Sequence, residues 1–168
     1  WSAMERTIAE LKALGIEARA EKFRMPGWVR GDDEVTLLAP VTRRLRAAAL
    51  SYTNPHEPFE AEIVDIGDGR EEDIAKLTAP AGKIGLLSPH TSVPRGQYEK
   101  AAIKAGMKAI LWINRVNGGQ LLARTGSFQG EPMKIPMYNI TQEEGFWLRR
   151  LIARGQTVKV RLHTRSYC

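Results

Sequence analysis

The 168 residues, 43% of them apolar, are enough for one packed domain with a real hydrophobic core, and they argue against intrinsic disorder. No apolar run approaches the roughly 18 residues of a membrane-spanning helix, the longest, Ala109 to Ile113, being strand-sized. A net charge of +6, from 25 Lys and Arg against 19 Asp and Glu, raises the question of a nucleic-acid partner, but the basic residues are scattered and lack a basic–aromatic motif, which points away from one.

Ser2-Ala3-Met4-Glu5 matches a capping box and predicts a helix carrying Ile8, Leu11 and Leu14 on one face, stopped by Gly15. Ile16, Ala18 and Ala20 then alternate with Glu17, Arg19 and Glu21, the pattern of a half-buried strand, which Pro26-Gly27 breaks. Val35, Leu37 and Leu38 suggest a short strand ending at Pro40. Residues 41–53 fit either a helix or a strand by periodicity. Further on, Ala61 to Ile66 reads as a strand, Arg70 to Leu77 as one or two helical turns, and Ile84 to Leu87 as a strand. A helix is expected over Gln97 to Ala105, ended by Gly106, and a strand over Met107 to Ile113, apolar on both faces and therefore central in a sheet. A Gly-rich loop follows over residues 114–134, with Leu121 and Leu122 as a brief pairing candidate. Ile135 to Ile140 is a strand, and Thr141-Gln142-Glu143-Glu144 is a second capping box. It opens a helix that buries Trp147, Leu148, Leu151 and Ile152 and stops at Gly155. Val158, Val160 and Leu162 make the last strand. Strands alternating with helices indicate an α/β sheet domain.

Reactive constellations are missing from this pattern. His56, His90 and His163 lack helical partners, no HExxH occurs, and Pro58 rules out a zinc-binding helix through His56; all three are expected at the surface or in loops. Gly67-Asp68-Gly69 follows a strand but lacks the third glycine of a dinucleotide fingerprint, and Glu71, Glu72 and Asp73 would repel phosphates. Gly126-Ser127-Phe128-Gln129-Gly130 is not a nucleophile elbow, and Asn139-Ile140-Thr141 reads as a chance match to a glycosylation acceptor. No set of nucleophile, base and orienting group emerges. The single cysteine, Cys168, allows no internal disulfide. No secretory leader is visible, and a chain opening WSAMER and ending RSYC reads as part of something longer.

The order Ile63 to Gly67, Gly82-Lys83-Ile84-Gly85-Leu86-Leu87, Ala101-Ala102-Ile103-Lys104-Ala105-Gly106, Ala109-Ile110-Leu111-Trp112, Ile135-Pro136, and Thr141 to Gly155 resembles a protease-associated (PA) domain. Arg95-Gly96-Gln97-Tyr98-Glu99-Lys100 is a shortened form of an element that many members carry before the helix. The lead-in Glu10-Leu11-Lys12-Ala13-Leu14-Gly15-Ile16 is similar to the start of zinc aminopeptidases of the glutamate carboxypeptidase and transferrin-receptor superfamily, in which the PA domain is inserted early and the zinc ligands come later. The resemblance implies an α/β, swivelling β/β/α domain, a mixed sheet or open barrel flanked by helices, over residues 31–165. A helix–strand lead-in belonging to a parent peptidase domain would occupy residues 1–30, and residues 41–53 would be strand rather than helix.

Functionally, it implies a non-catalytic chain that walls or lids a substrate cleft. Zinc would sit in the parent catalytic domain and not here, the partners would be the parent's own peptidase domain and a peptide substrate, and the compartment would be secreted or cell-envelope. The contacts are expected on the loop 115–132, where Arg115, Gln120, Arg124 and Gln129 offer hydrogen bonds to peptide carbonyls or a carboxylate, with Arg95 beside them. The alternative is a free-standing interaction module, for which Trp28 is a candidate exposed aromatic, a buried packing role being equally natural for it. In either case the helix at residues 4–14, without a parent domain, would expose its apolar stripe.

Overall fold

A computed structural model describes residues 2–168; residue 1, the first of the expected lead-in, lies outside them. Helix α1 (Ala3–Ala13) opens the chain. The sheet is built from β1 (Asp33–Ala39), β2 (Arg43–Arg44), β3 (Ala47–Ala49), β4 (His56–Asp65), β5 (Ile84–Leu87), β6 (Ala109–Ile113), β7 (Met137–Ile140) and β8 (Lys159–Thr164). Helices α2 (Glu71–Ile74), α3 (Arg95–Lys104) and α4 (Gln142–Ala153) fall between them.

All eight strands join one mixed sheet in the order β2-β1-β8-β4-β5-β6-β7-β3. β4 is its seam. On one side it pairs antiparallel with β8, and on the other parallel with β5, which begins a parallel run through β6 to β7. The sheet curls until β3, antiparallel to β7, returns beside β1. Asp33 fastens that closure: its Oδ2 accepts from Ala49 N at 2.8 Å and pairs with Arg30 at 2.7 Å, while its Oδ1 accepts from Thr164 Oγ1 at 2.7 Å. The α/β open-barrel expectation is borne out.

β6 shows why its sequence is apolar on both faces. Ala109, Leu111 and Ile113 face one core with β1, β8 and α4, whereas Ile110 faces a second core with α3 and Met137. Successive side chains point to opposite faces of a strand, and both faces are covered here, so nothing polar is wanted. α3 lies close against the sheet through Ala101 and Ala102, and Gly106, at φ 72°, turns the chain back into β6.

Residues 41–53 resolve into the two short strands β2 and β3. β4 begins at His56, five residues before the expected Ala61, because it pairs with β8 well before it meets β5. The strand expected over residues 16–21 does not form. Alternation alone does not make a strand unless the segment finds a partner edge, and residues 16–21 pair with none of the eight strands; Ile16 stays 52% exposed. Leu121 and Leu122 do not pair; the loop's bridge is instead Ser51 with Thr125. The histidines also need correcting. The antiparallel pairing of β4 with β8 brings His56 and His163 to 6.4 Å between ring centroids, and both are half-buried.

Candidate functional site

The loop over residues 114–134 runs from β6 towards β7 and is tied down at each side. Glu143, in the first turn of α4, accepts from the backbone N–H groups of Gly118 and Gly119; its own backbone N–H first, and then these two, hold its carboxyl below the usual range. Glu144 turns inward. It accepts from Arg43 Nη2 at 2.7 Å and Arg46 N at 2.8 Å, while Thr141 caps α4 by accepting from Glu144 N. At the far side Ser51 N donates to Arg124 O, and Gly126 N donates to Ser51 O at 2.9 Å.

Between these anchors the loop meets α3 and β6 through stacked cations. Arg95, in the first turn of α3, donates from Nη1 to Thr125 O and lies 4.4 Å from the Phe128 ring centroid. Arg124 lies 4.2 Å over the Trp112 ring of β6, whose indole N–H donates to Ser88 O at 3.0 Å. Tyr98 of α3 meets Trp112 edge-on at 6.1 Å. Burial lowers the proton affinity of Arg124, and the charge of Arg115 lowers it further. Burial pushes the Tyr98 hydroxyl well above the ordinary phenol range.

Of the five residues expected from the sequence, Arg95 stacks on Phe128 and Arg124 on Trp112, and Arg115 lies near enough for its charge to be felt. Gln120 and Gln129 are exposed, Gln120 contributing a backbone carbonyl to Asn114 Nδ2 at 3.4 Å. Sequence reasoning missed Tyr98, Trp112 and Phe128. Trp112 was hidden in an apolar strand run, where an aromatic reads as core. Its signal is that it is the one aromatic in that run, and an indole N–H needs an acceptor. Trp28 is not the free aromatic of the chain: its N–H donates to Thr53 O at 3.2 Å and Arg30 stacks on it at 4.8 Å. Among the described residues the most exposed aromatics are Phe128 at 85% and Phe23 at 81%, with Tyr167 at 55%.

The residues present do not fit a zinc ion. Among the described residues no group of three or more His, Cys, Asp or Glu is placed to hold a metal. Both ring nitrogens of His56 are already engaged, with Glu57 O at 2.9 Å and Tyr138 Oη at 2.6 Å.

No family model matches the chain. Carboxypeptidase Q of Rattus norvegicus is 24% identical over an alignment of 171 positions that covers 95% of this chain and 36% of that protein. Among solved structures, an aminopeptidase from Aneurinibacillus sp. strain AM-1 superposes with a TM-score of 0.74 at 20% identity, over 98% of this chain and 39% of its own. A peptidase M28 precursor from Shewanella amazonensis SB2B gives 0.71 at 21% identity, over 98% of this chain and 41% of its own. A zinc aminopeptidase from Bacillus subtilis gives 0.69 at 22% identity, over 99% and 39%. The chain thus spans well under half the length of the relatives it matches. It has the fold of a segment of peptidase M28-type zinc aminopeptidases, the group its sequence resembles.

Proposed function

We propose that this chain is the non-catalytic PA domain of a zinc-dependent aminopeptidase-like protein, and that it shapes substrate access through the loop over residues 114–134. The observation that carries the reading is proportion. The whole chain superposes on about two fifths of zinc aminopeptidases, and the zinc and its ligands would belong to the remainder. Residues 1–30 would pack on that remainder, and the compartment would be secreted or cell-envelope. The site supports an access role because the loop is pinned at Gly118–Gly119 and at Arg124–Gly126 yet carries an exposed tip at Phe128. A segment so held can line a cleft without collapsing into it.

The test is made in the parent enzyme, with residues 118–130 replaced by a Gly-Ser linker. We expect the KM for peptide substrates to rise severalfold with the zinc content unchanged. Unchanged KM and kcat would remove the role. The exposed Phe23 and Phe128 favour the second reading, a free-standing interaction module. A reading frame that stops just after Cys168 would support that module, and a downstream run of zinc ligands would support the peptidase.

A further inference from the structure

One side chain of the long loop has polar atoms that the fold leaves unanswered. Arg124 lays its guanidinium on Trp112, and its Nε and Nη2 are shut away from solvent without finding an acceptor among the described residues. A guanidinium carries five donors and no acceptor, so such burial is costly until an acceptor arrives. Tyr98 is 1% exposed and its hydroxyl is equally without a partner. Two unanswered donors, one from the loop and one from α3, therefore border the same indole ring. Arg95 differs, since it is committed to Thr125 O and Phe128. No carboxylate among the described residues forms an ion pair with Arg95, Arg115 or Arg124. The like charges of Arg115 and Arg124 oppose one another, and a bound anion would relieve that.

We propose that Arg124, stacked on Trp112 and with Arg115 on the same loop, is a receptor for a carboxylate group of a peptide. The planar guanidinium fork matches the two oxygens of a carboxylate, and the indole face fixes the plane in which that fork lies. One planar fork suits two oxygens better than the three of a phosphate. Arg124 is only partly buried, so a ligand reaches the guanidinium from the solvent side. Turning the guanidinium within its own plane, still stacked on the indole, brings its shut-in N–H groups onto the ligand. The proposal starts from the access role of the loop and names what that loop would select.

The two sources of a peptide carboxylate, a C-terminus and an acidic side chain, are separated by the probes. The whole chain is titrated with acetyl-Ala-Ala-Ala, with acetyl-Ala-Ala-Glu-Ala-amide and with acetyl-Ala-Ala-Gln-Ala-amide, following the Trp112 indole N–H resonance. At least one carboxylate peptide should give a saturable shift and the Gln peptide none. Arg124→Lys, which keeps the charge but loses the fork, and the exposed Arg115→Gln should each weaken binding about tenfold. The proposal is overturned by no saturable response to either carboxylate peptide at millimolar concentration. It is overturned equally by a matching response to the Gln peptide, or by full affinity in both variants. Because binding is read on the chain itself, carboxylate binding with an inert Gly-Ser graft in the enzyme would discard the access role alone. A loop that governs KM but binds no carboxylate would discard the receptor alone.

Discussion

His56 donates or accepts at two fixed partners, and those partners choose its state. The Glu57 carbonyl can only accept, so Nδ1 carries the proton and Nε2 accepts from the Tyr138 hydroxyl. Burial holds the imidazole below its ordinary 6.5, with the charge of His163 adding to the effect and the Glu57 carbonyl opposing it. The folded state therefore binds this proton less readily than the unfolded state, and stability rises with pH across the window. That contribution is full above 6.5 and is lost as the pH falls through 6.5 towards the lower folded value. Glu34 and Glu143, both depressed, lose their contributions lower, from around their ordinary 4.5 downward. Calorimetric melting across this range should show a fall in Tm near 6.5 that His56→Gln flattens. Wild type and variant running parallel there would contradict the assignment.

At the scale of elements, the contact between α4 and β6 depends on a missing side chain. Gly145 lies in the second turn of α4, and a Cβ there would come within 2.5 Å and 2.7 Å of the Ile113 side chain. A buried β-branched side chain cannot swing away from such a clash, since its rotamer is set by its own strand. Gly145→Ala would ordinarily favour a helix by up to about 1 kcal/mol. Here overpacking outweighs that gain, and a net destabilisation of about 1–3 kcal/mol is expected. Urea unfolding should show a lower midpoint at unchanged slope, and a midpoint equal to or above wild type would show that β6 gives way freely. The helix itself was legible in the sequence from Thr141 and the apolar spacing, because capping and periodicity are local. The use of Glu144 was not: it reads as the return arm of a capping box, but its carboxylate accepts instead from Arg43 of β2 and from the backbone N–H of Arg46, just before β3.

For the molecule as a whole, order is unevenly spread. α1 has its capping box formed, with Ser2 and Glu5 each accepting from the other's backbone N–H, yet it buries no residue. Leu14 is 76% and Met4 54% exposed. A helix of 11 residues is marginal in water without tertiary packing. Amide exchange followed by mass spectrometry should find α1 nearly unprotected and Ala109 to Ile113 the most protected segment. Dilute samples exclude shielding of α1 by a second copy. Comparable protection for the two segments would mean that α1 is held by contacts within the chain.

The sequence by itself determined the α/β class, the central place of β6, both capped helices and the likeness to zinc aminopeptidases. Each of these depends on residues near one another in the chain, or on the order of such local signals. Only the tertiary structure decided that residues 16–21 stay out of the sheet, that His56 meets His163 and Tyr138, and that Arg95 stacks on Phe128 and Arg124 on Trp112. Those outcomes depend on sheet order and curl. Strand pairing brings residues together from widely separated parts of the chain, and no local periodicity records which partner a strand edge will find.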